Sequence, residues 1–224
     1  MKLLIVGYGK MGRMVEELAG EQGFDIAGRV DEGRPEWAPA DVAIDFSTAE
    51  ALLGNFSHYT TRRLPVVIGT TGWNAHEGRL RADAERAGIG VVASANFSIG
   101  VNIFELVVAE AARMMAAQPQ YGAWIHEQHH SAKRDAPSGT AILLRDAMTA
   151  AGFTRNIDMS SARAGMIPGT HTIGFDSASD TIELTHRARD RRGFAGGALL
   201  AARWIQGRTG WYSMQDVLSA GSRQ

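Results

Sequence analysis

The sequence contains no cysteine, which excludes disulfide bonds, thiolate metal sites and cysteine nucleophiles, and which is typical of a protein from a reducing compartment. It also lacks a net charge of either sign, because 23 lysines and arginines nearly balance 24 aspartates and glutamates. A chain without surplus positive charge has no field that would hold nucleic acid or an anionic membrane surface. We therefore expect neither of these as a partner.

Long hydrophobic runs are absent as well. The first apolar run, residues 3–6, is too short for the core of a secretory signal, and glycines or charges interrupt every later run before it reaches the ~18 residues of a membrane span. We therefore expect a soluble, cytoplasmic protein. With 224 residues, of which 45% are hydrophobic, the chain can bury the core of one large domain or of two modest ones.

The apolar pattern predicts two regions of different architecture. Up to residue 97, short apolar strands alternate with segments that fit crossover helices, which is typical of a Rossmann-like α/β fold with a doubly wound parallel sheet. Further on, the strand-like segments alternate apolar and polar residues, which is typical of a mostly antiparallel sheet in a second, α+β domain. We assign residues 1–97 and 198–224 to a dinucleotide-binding domain and residues 98–197 to a substrate-binding and oligomerisation domain.

The same pattern locates the individual elements. In the first region it predicts strands over residues 3–6, 24–30, 42–46, 65–68 and 90–93, and a helix over residues 79–87. In the second region it predicts a long helix over residues 102–117 and strands over residues 123–128, 159–163, 171–175 and 181–187. Two helical runs, residues 198–205 and 211–218, follow, and we expect them to pack on the first domain.

A glycine-rich turn joins the first predicted strand to a helix. It consists of Gly7, Tyr8, Gly9, Lys10, Met11 and Gly12. This G-x-G-x-x-G spacing between strand and helix is that of a dinucleotide-binding loop, in which amides and the helix dipole face a pyrophosphate. Asp31, about 20 residues further on, would bind the adenosine ribose and disfavour a 2'-phosphate. We therefore predict that NADH is preferred to NADPH, although Arg29 and Arg34 lie close enough in sequence to weaken this preference.

Two more turns follow predicted strands, at the sheet edge where doubly wound folds bind their ligands. They are formed by Gly69, Thr70, Thr71 and Gly72 and by Ser94, Ala95, Asn96 and Phe97. We expect both turns to border the cofactor. The alternative is that they are ordinary turns whose hydroxyl groups cap the following helices.

The segment HEQHHSAKRDAPSGTA, residues 126–141, carries two conflicting patterns. Its beginning matches the H-E-x-x-H motif of zinc proteases, which requires a helix with His126 and His130 on one face. No apolar stripe at helical spacing supports such a helix, the alternation of residues 123–128 favours a strand, and a third ligand is missing. We therefore predict that there is no metal site.

The remainder of the segment is typical of an anion site. Ser138 can cap a helix that begins at Gly139 and Thr140, whose free amides suit a carboxylate. Upstream lie three groups that can carry positive charge, His129, His130 and Lys133. Together they describe a site for an acidic substrate that must be protonated. The alternative is that these residues have no role in binding: a histidine can be a hydrogen-bonded residue of the core or surface, and Lys133 with Arg134 can form a solvated basic surface.

This segment resembles the 4-hydroxy-tetrahydrodipicolinate reductase family, also called dihydrodipicolinate reductase, of lysine and diaminopimelate biosynthesis. The family signature E-x-H-H-x-x-K-x-D-x-P-S-G-T-A is matched by Glu127, His129, His130, Lys133, Asp135, Pro137, Ser138, Gly139, Thr140 and Ala141. The glycine loop, the turn at residues 69–72, residues 96–98 and segments within residues 163–171 and 185–195 extend the resemblance over nearly the full chain.

The resemblance implies an NAD(P)H-dependent reduction of a cyclic dicarboxylate by a homotetramer. It implies that His129 donates a proton with the assistance of Lys133, and that Arg191 contacts the cofactor. It assigns the substrate carboxylates to His130, Ser138, Gly139 and Thr140. Two alternatives stay open, a nicotinamide oxidoreductase with another substrate and a non-catalytic dinucleotide sensor.

The chain also departs from the family pattern. Its glycine loop is one residue shorter than the commoner G-x-x-G-x-M-G form, although Met11 and Gly12 are kept. Glu32 stands where some members have a basic residue, which strengthens the expected preference for NADH.

Overall fold

The computed structural model of the chain describes residues 1–33 and 36–219. The chain forms two compact units, of which unit 1 contains Met1–Ile99 together with the segment that starts at Arg192, and unit 2 contains Gly100–Arg191. Each unit has its own sheet and its own hydrophobic core.

The strands, in chain order, are β1 (Lys2–Val6), β2 (Asp25–Val30), β3 (Val42–Asp45), β4 (Val66–Ile68), β5 (Gly90–Ala93), β6 (Gly122–His129), β7 (Ile157–Arg163), β8 (Thr170–Asp176), β9 (Thr181–Arg187) and β10 (Gly210–Tyr212). The α-helices are α1 (Lys10–Ala19), α2 (Ala49–Arg62), α3 (Glu77–Ala87), α4 (Ile99–Ala116), α5 (Gly139–Ala150), α6 (Arg192–Trp204) and α7 (Met214–Ser219). Within residues 1–33 and 36–219, no helix combines the length and the apolar character that crossing a bilayer requires.

Unit 1 is built on a parallel sheet with the strand order β10-β5-β4-β3-β1-β2. Successive side chains of a strand point to opposite sides of the sheet. Leu3, Leu4, Ile5 and Val6 of β1 are all buried, so both faces of this strand are covered. Leu3 and Ile5 pack with α1 and α6, whereas Leu4 and Val6 pack with α2 and α3. Helices on both faces of a parallel sheet confirm the predicted doubly wound architecture.

The predicted helix over residues 211–218 is wrong at its start. Trp211 and Tyr212 belong to β10, which pairs in parallel with β5, and α7 begins only at Met214. The apolar spacing fits a helix, but two successive aromatic side chains favour a strand where a sheet edge is available for pairing.

Helix α6 begins at Arg192, well before the predicted start at residue 198. The sequence did not predict a helix over the first turns of α6, because these turns contain Gly196 and Gly197 and glycine is a poor helix former. Gly197 is required by close packing, since a Cβ atom at this position would lie 1.8 Å from the carbonyl oxygen of Phe97. The glycines therefore mark a tight contact and not a helix boundary.

Unit 2 contains a four-stranded sheet with the order β7-β6-β8-β9. The pairs β6–β8 and β8–β9 are antiparallel, which confirms the predicted, mostly antiparallel sheet, and β6–β7 is parallel. That parallel pair follows from the chain order, because α5 lies between β6 and β7 and parallel neighbours need such a crossover. Apolar residues of α4 and α5 pack on the sheet, among them Val108, Leu144 and Met148 against Ile125 and Ile173.

Candidate active site

The glycine loop of unit 1 has one open position between two tightly packed ones. Gly7 has a φ of +82°, and a Cβ atom there would lie 2.5 Å from the backbone of Phe46. A Cβ atom on Gly12 would lie 2.3 Å from the carbonyl oxygen of Gly7. Gly9, by contrast, has no atom of another described residue within 4 Å of its Cβ position, apart from its chain neighbours. Gly7 and Gly12 are therefore needed by the turn itself, whereas Gly9 leaves space in which a ligand can approach the backbone.

The backbone amides at the start of the first turn of α1 have no acceptor among the residues that the structure describes. Gly9 is the N-cap of α1 and supplies no side-chain hydrogen bond to the helix. Lys10 is exposed beside it, while Met11 is half-buried against the core of unit 1. An uncapped helix N-terminus with a cationic side chain is suited to a phosphate. These residues therefore fit the pyrophosphate of a dinucleotide.

The carboxyl end of β2 carries the predicted ribose-binding residue. Asp31 follows this strand directly and is exposed, as is Glu32. Arg29 is bound to Glu16 of α1 by hydrogen bonds and an ion pair. Arg34, the other cation that we considered for the cofactor preference, lies outside the described residues.

A buried carboxylate anchors the predicted turn at residues 69–72. Asp45, the last residue of β3, is fully buried and accepts hydrogen bonds from the hydroxyl groups of Ser47, Tyr59 and Thr70 at 2.6, 2.6 and 3.0 Å. Burial, together with the charge of Asp45, raises the pKa of Tyr59 well above its usual value. The Thr70 hydroxyl thus holds the turn, while Thr71 is exposed. Gly69 is required because a Cβ atom would lie 2.0 Å from the ring of Phe46.

The turn after β5 is held by its own polar groups. The Ser94 hydroxyl donates to the carbonyl oxygen of Asn96 at 2.8 Å, and the Asn96 side chain accepts from the amide of Ser98 at 2.8 Å. Phe97 is buried in the core and packs edge-on against Phe46, with ring centroids 6.3 Å apart. Ala95 is exposed. A cofactor can therefore meet Phe97 only through its backbone.

In unit 2, strand β6 carries the start of the segment at residues 126–141. Its side chains alternate, with Glu127 and His129 buried and His126 and Gln128 partly exposed. The helix that the zinc-protease motif requires does not form, because this segment is a strand and His126 points away from Glu127.

Glu127 is the centre of a buried ionic network. Its side chain is 1% exposed, and one carboxylate oxygen accepts hydrogen bonds from the Arg163 guanidinium at 2.6 Å and from the amide of Ser138 at 3.3 Å. The other oxygen accepts from Nδ1 of His129. Burial opposes ionisation, but the hydrogen bonds from Arg163, Ser161 and His129 outweigh it and lower the pKa of Glu127 to about 2. Glu127 is therefore ionised at neutral pH.

The contact with Glu127 determines the tautomer of His129. An ionised carboxylate only accepts hydrogen bonds, so Nδ1 of His129 carries a proton and Nε2 is the atom that can exchange one. Burial lowers the pKa of His129, and Lys133 and Arg163 add to this, while Glu127 opposes it. A Cβ atom on Gly169 would lie 3.1 Å from Nε2, so the glycine keeps this side of the ring uncrowded.

A second buried histidine supports the network. The ring of His171 stands edge-on to that of His129, with centroids 5.2 Å apart. Burial lowers the pKa of His171 to about 4, and the neighbouring His129 adds to this. His171 is therefore neutral at pH 7, and its Nε2 can accept the hydrogen bond from the Ser138 hydroxyl, whose length is 3.1 Å.

The N-terminus of α5 adjoins this network through Ser138. The Ser138 hydroxyl accepts a hydrogen bond from the amide of Ala141 at 3.2 Å, and the Ser138 carbonyl accepts one from the amide of Ile142 at 3.0 Å. The amides of Gly139 and Thr140 have no acceptor among the described residues. This arrangement provides the two donors that we expected for a carboxylate.

The remaining predicted residues of unit 2 are His130, Lys133 and Arg191. His130 follows β6 directly and is partly exposed. Lys133 is mostly buried and donates to both carboxylate oxygens of Asp135 at 2.8 and 2.9 Å. Arg191 is exposed at the end of unit 2, directly before α6. Asp135 therefore neutralises part of the charge that we expected Lys133 to offer.

Three of these side chains lie close enough together to be metal ligands. Donor atoms of Glu127, His129 and His171 all lie within 4.8 Å of one another. Each of the three is engaged, however, and the Arg163 guanidinium contacts the carboxylate directly. A fixed positive charge on the carboxylate opposes a further cation, so the cluster is better suited to hold and move a proton.

Sequence reasoning missed the supporting residues of both regions. Asp45 was recognisable only as a charged residue at the end of an apolar strand. Arg163 and His171 are the end residues of a segment that matches the family pattern, but the sequence predicted no role for either. Glu127 could have been paired with His129, because residues two apart in a strand share a face.

Comparison with known proteins identifies relatives over the whole chain. Two family models, described as dihydrodipicolinate reductase, N-terminus and C-terminus, match residues 34–97 and 100–218. A 4-hydroxy-tetrahydrodipicolinate reductase of Christiangramia forsetii is 35% identical, covering 98% of this chain and 98% of the relative. Another, of Rhodopseudomonas palustris, is 34% identical and covers 99% of this chain and 98% of the relative.

A solved structure has the same fold. Dipicolinate-bound dihydrodipicolinate reductase from Paenisporosarcina sp. TG-14 aligns with a TM-score of 0.78 and 19% identity, over 95% of this chain and 97% of that one. The glycine loop precedes the residues that the N-terminal family model matches.

Proposed function

Because the chain belongs to the dihydrodipicolinate reductase family, we propose that it reduces 4-hydroxy-tetrahydrodipicolinate, or the dehydrated dihydrodipicolinate, to tetrahydrodipicolinate with NAD(P)H. The reaction belongs to lysine and diaminopimelate biosynthesis. The observation that carries the proposal is the buried Glu127–His129 pair next to the free amides of α5. An acid beside a carboxylate seat is what the protonation of a dicarboxylate requires.

The cofactor is held by unit 1 in this proposal. The amides of residues 9–11 bind the pyrophosphate at the open position of Gly9, and Asp31 binds the adenosine ribose. The turns at residues 69–72 and 94–97 border the nicotinamide half. The family resemblance assigns Arg191 to the cofactor as well. When bound, the nicotinamide supplies the hydride. Asp31 and Glu32 place two carboxylates at the end of β2, which favours NADH over NADPH.

The substrate carboxylates bind to the amides of Gly139 and Thr140 and to His130. Ser138 contributes indirectly, since its hydroxyl and its amide are both engaged within the protein. It caps α5 and so holds the two free amides in place. Lys133, which is held by Asp135, adds a positive charge that stabilises negative charge developing on the substrate.

His129 is the proton donor. Nε2 delivers the proton while Nδ1 stays bound to Glu127, whose negative charge stabilises the protonated ring. The lowered pKa of His129 makes the protonated ring a stronger acid than an exposed histidine. Arg163 keeps Glu127 ionised and in position, so the carboxylate orients the ring and does not itself take up the proton.

We also propose that the enzyme is a cytoplasmic homotetramer assembled through unit 2. The absence of cysteine fits a reducing compartment. The sheet of unit 2 ends in the edge strands β7 and β9, and pairing or stacking of subunits would cover such edges. Light scattering coupled to size-exclusion chromatography tests the subunit number, and a monomer at micromolar concentration would contradict this proposal.

The reaction is tested by following NADH absorbance while the preceding synthase makes the substrate in the cuvette from pyruvate and aspartate semialdehyde. We expect rapid oxidation by the unaltered protein and a kcat at least about 100-fold lower for His129→Ala, with little change in the dissociation constant of NADH. His126→Ala is the matched control, because it removes a histidine from the opposite face of the same strand and should retain activity.

The same assay separates the alternatives. Oxidation of NADH only with other carbonyl substrates would identify a different nicotinamide oxidoreductase. Binding of NADH without turnover of any candidate substrate would identify a dinucleotide sensor. Equal losses of kcat and of cofactor affinity in His129→Ala would indicate structural damage and would contradict the assigned role.

A further inference from the structure

A cluster of three side chains lies beside the glycine loop, and the ion pair within it has had no role in the function described so far. It joins Tyr8 of the loop, Glu16 of α1 and Arg29 of β2. Arg29 donates through Nε to one carboxylate oxygen of Glu16 at 3.0 Å and through a terminal nitrogen to the other. The Tyr8 hydroxyl donates to the same carboxylate, and the guanidinium lies 5.6 Å from the centre of the Tyr8 ring.

The cluster lies next to the predicted adenosine ribose site. Arg29 and Asp31 are two residues apart at the end of β2, so their side chains point to the same side of the strand. Both are exposed, whereas Val30 between them is buried. In doubly wound folds the residue at this end of the second strand meets the ribose, and a nearby arginine there accommodates a 2'-phosphate. Arg29 is therefore placed where it could serve NADPH.

The pairing with Glu16 withdraws Arg29 from that role. Two donors of the guanidinium are used in a two-pronged contact, which is the geometry in which arginine would otherwise bind a phosphate. The negative charge of Glu16 also cancels the positive charge that a phosphate would meet. Asp31 and Glu32 then leave negative charge at the end of the strand.

We propose that Glu16 is a specificity-determining residue that secures the preference for NADH by holding Arg29 away from the ribose. Tyr8 assists by fixing the carboxylate of Glu16 from the loop side. The inference rests on the proposed dinucleotide site and deepens it, because it assigns the preference to a side chain of α1 as well as to Asp31.

Another cation near the cluster provides a rival explanation. The guanidinium of Arg13 lies 5.7 Å from the centre of the Tyr8 ring, so the loss of Glu16 could release Arg13 as well as Arg29. Combining the Glu16 variant with a change at Arg29 separates the two. If Arg29 is the released cation, its removal must cancel the effect of removing Glu16.

The experiment measures the dissociation constants of NADH and NADPH by calorimetric titration of the intact protein, without substrate. We expect Glu16→Ala to tighten NADPH binding about fivefold, which corresponds to one exposed ion pair, and to leave NADH binding within about twofold. Glu16→Gln should change NADPH binding in the same direction by less, because glutamine keeps a hydrogen bond but not the charge. Glu16→Ala/Arg29→Met should return NADPH binding to the value of the unaltered protein.

Glu21→Ala is the matched control, because it removes the same charge from an exposed position just after α1. An equal gain in this control would show a general charge effect and would overturn the inference. Unchanged NADPH affinity in Glu16→Ala, or a gain that persists in the double variant, would also overturn it. If the unaltered protein binds neither nucleotide, the proposed function itself fails, and this inference fails with it.

Discussion

The candidate site of unit 1 is formed mainly by backbone groups, whereas the candidate site of unit 2 is formed mainly by side chains. In unit 1 the glycine loop presents backbone amides, and its tight positions exclude even one added carbon atom. In unit 2 the site is a set of buried polar and charged side chains in which Glu127 binds Arg163 and His129 at the same time. The first site therefore depends on the close packing of its backbone, and the second depends on the pairing of its polar and charged side chains.

This difference determines how each site can be damaged. A backbone site is insensitive to most side-chain changes but fails when atoms are added where the chain is tightly packed. A buried charge network fails when one partner is removed, because the remaining charges are left without compensation. Matched substitutions in the two units test this contrast.

The largest effect is expected from Glu127→Ala. It removes the only carboxylate that the described residues pair with Arg163 and the acceptor of His129 in a buried environment, so the free energy of unfolding should fall by about 4 kcal/mol and turnover should be lost. Urea unfolding followed by circular dichroism measures the change. Glu183→Ala, which removes an exposed carboxylate from β9 of the same sheet, is the control and should stay within about 0.5 kcal/mol. Similar values for both variants would contradict the charge network.

The next effect is a dependence of stability on pH that originates at His171. Its pKa is about 4 in the folded protein, whereas an unfolded histidine has a pKa of about 6.5. The unfolded chain therefore binds the proton first, so this stabilisation is complete above pH 6.5 and is lost as the pH falls from 6.5 to 4. The loss should be on the order of 3 kcal/mol.

The variant His171→Gln isolates this contribution. Glutamine can still accept the hydrogen bond from Ser138 but does not titrate, so the free energy of unfolding should depend less on pH between 6.5 and 4 than in the unaltered protein. Urea unfolding at pH 7.5, 6 and 5 provides the comparison. Parallel curves for the two proteins would show that His171 does not carry the acid sensitivity.

In unit 1 the contrast predicts opposite effects of the same substitution at two glycines. Gly12→Ala should lower the free energy of unfolding by about 2 kcal/mol and weaken NADH binding, because the added carbon meets the carbonyl of Gly7. Gly54→Ala in α2 adds the same atom into open space, where alanine is the better helix former, and should stabilise by about 1 kcal/mol. Thermal unfolding with and without NADH measures both. A loss in both variants would contradict the packing argument.

The contrast also explains which features could be predicted from the sequence. The glycine spacing predicted a strand, turn and helix, because each tight glycine reflects a local requirement of the backbone, as the positive φ of Gly7 shows. The network of unit 2 was only partly visible, because its members come from different strands. Arg163 pairs with His129 across β6 and β7, and His171 pairs with Glu127 across β6 and β8. This register depends on long-range pairing, which no local pattern encodes.

The error at the C-terminal end has a related cause. Trp211 was predicted to be helical from the spacing of the apolar residues alone, whereas it lies in β10. Its strand is specified by pairing with Val91 of β5, a contact that is remote in sequence. Local periodicity therefore predicted most elements of the parallel sheet but not its last strand.

The smallest expected effect compares the helix caps of the two units. Thr48 caps α2 and Ser138 caps α5, and each hydroxyl accepts a hydrogen bond of 3.2 Å from the amide three residues on. Thr48→Ala should lower the free energy of unfolding by about 1 kcal/mol, and Ser138→Ala by at least as much, because the Ser138 hydroxyl also hydrogen-bonds to His171. Only Ser138→Ala should also raise KM for the dicarboxylate, because the Ser138 cap alone holds the amides proposed to bind it. If Thr48→Ala raised KM equally, the change would reflect general loosening, and the carboxylate seat at α5 would have to be abandoned.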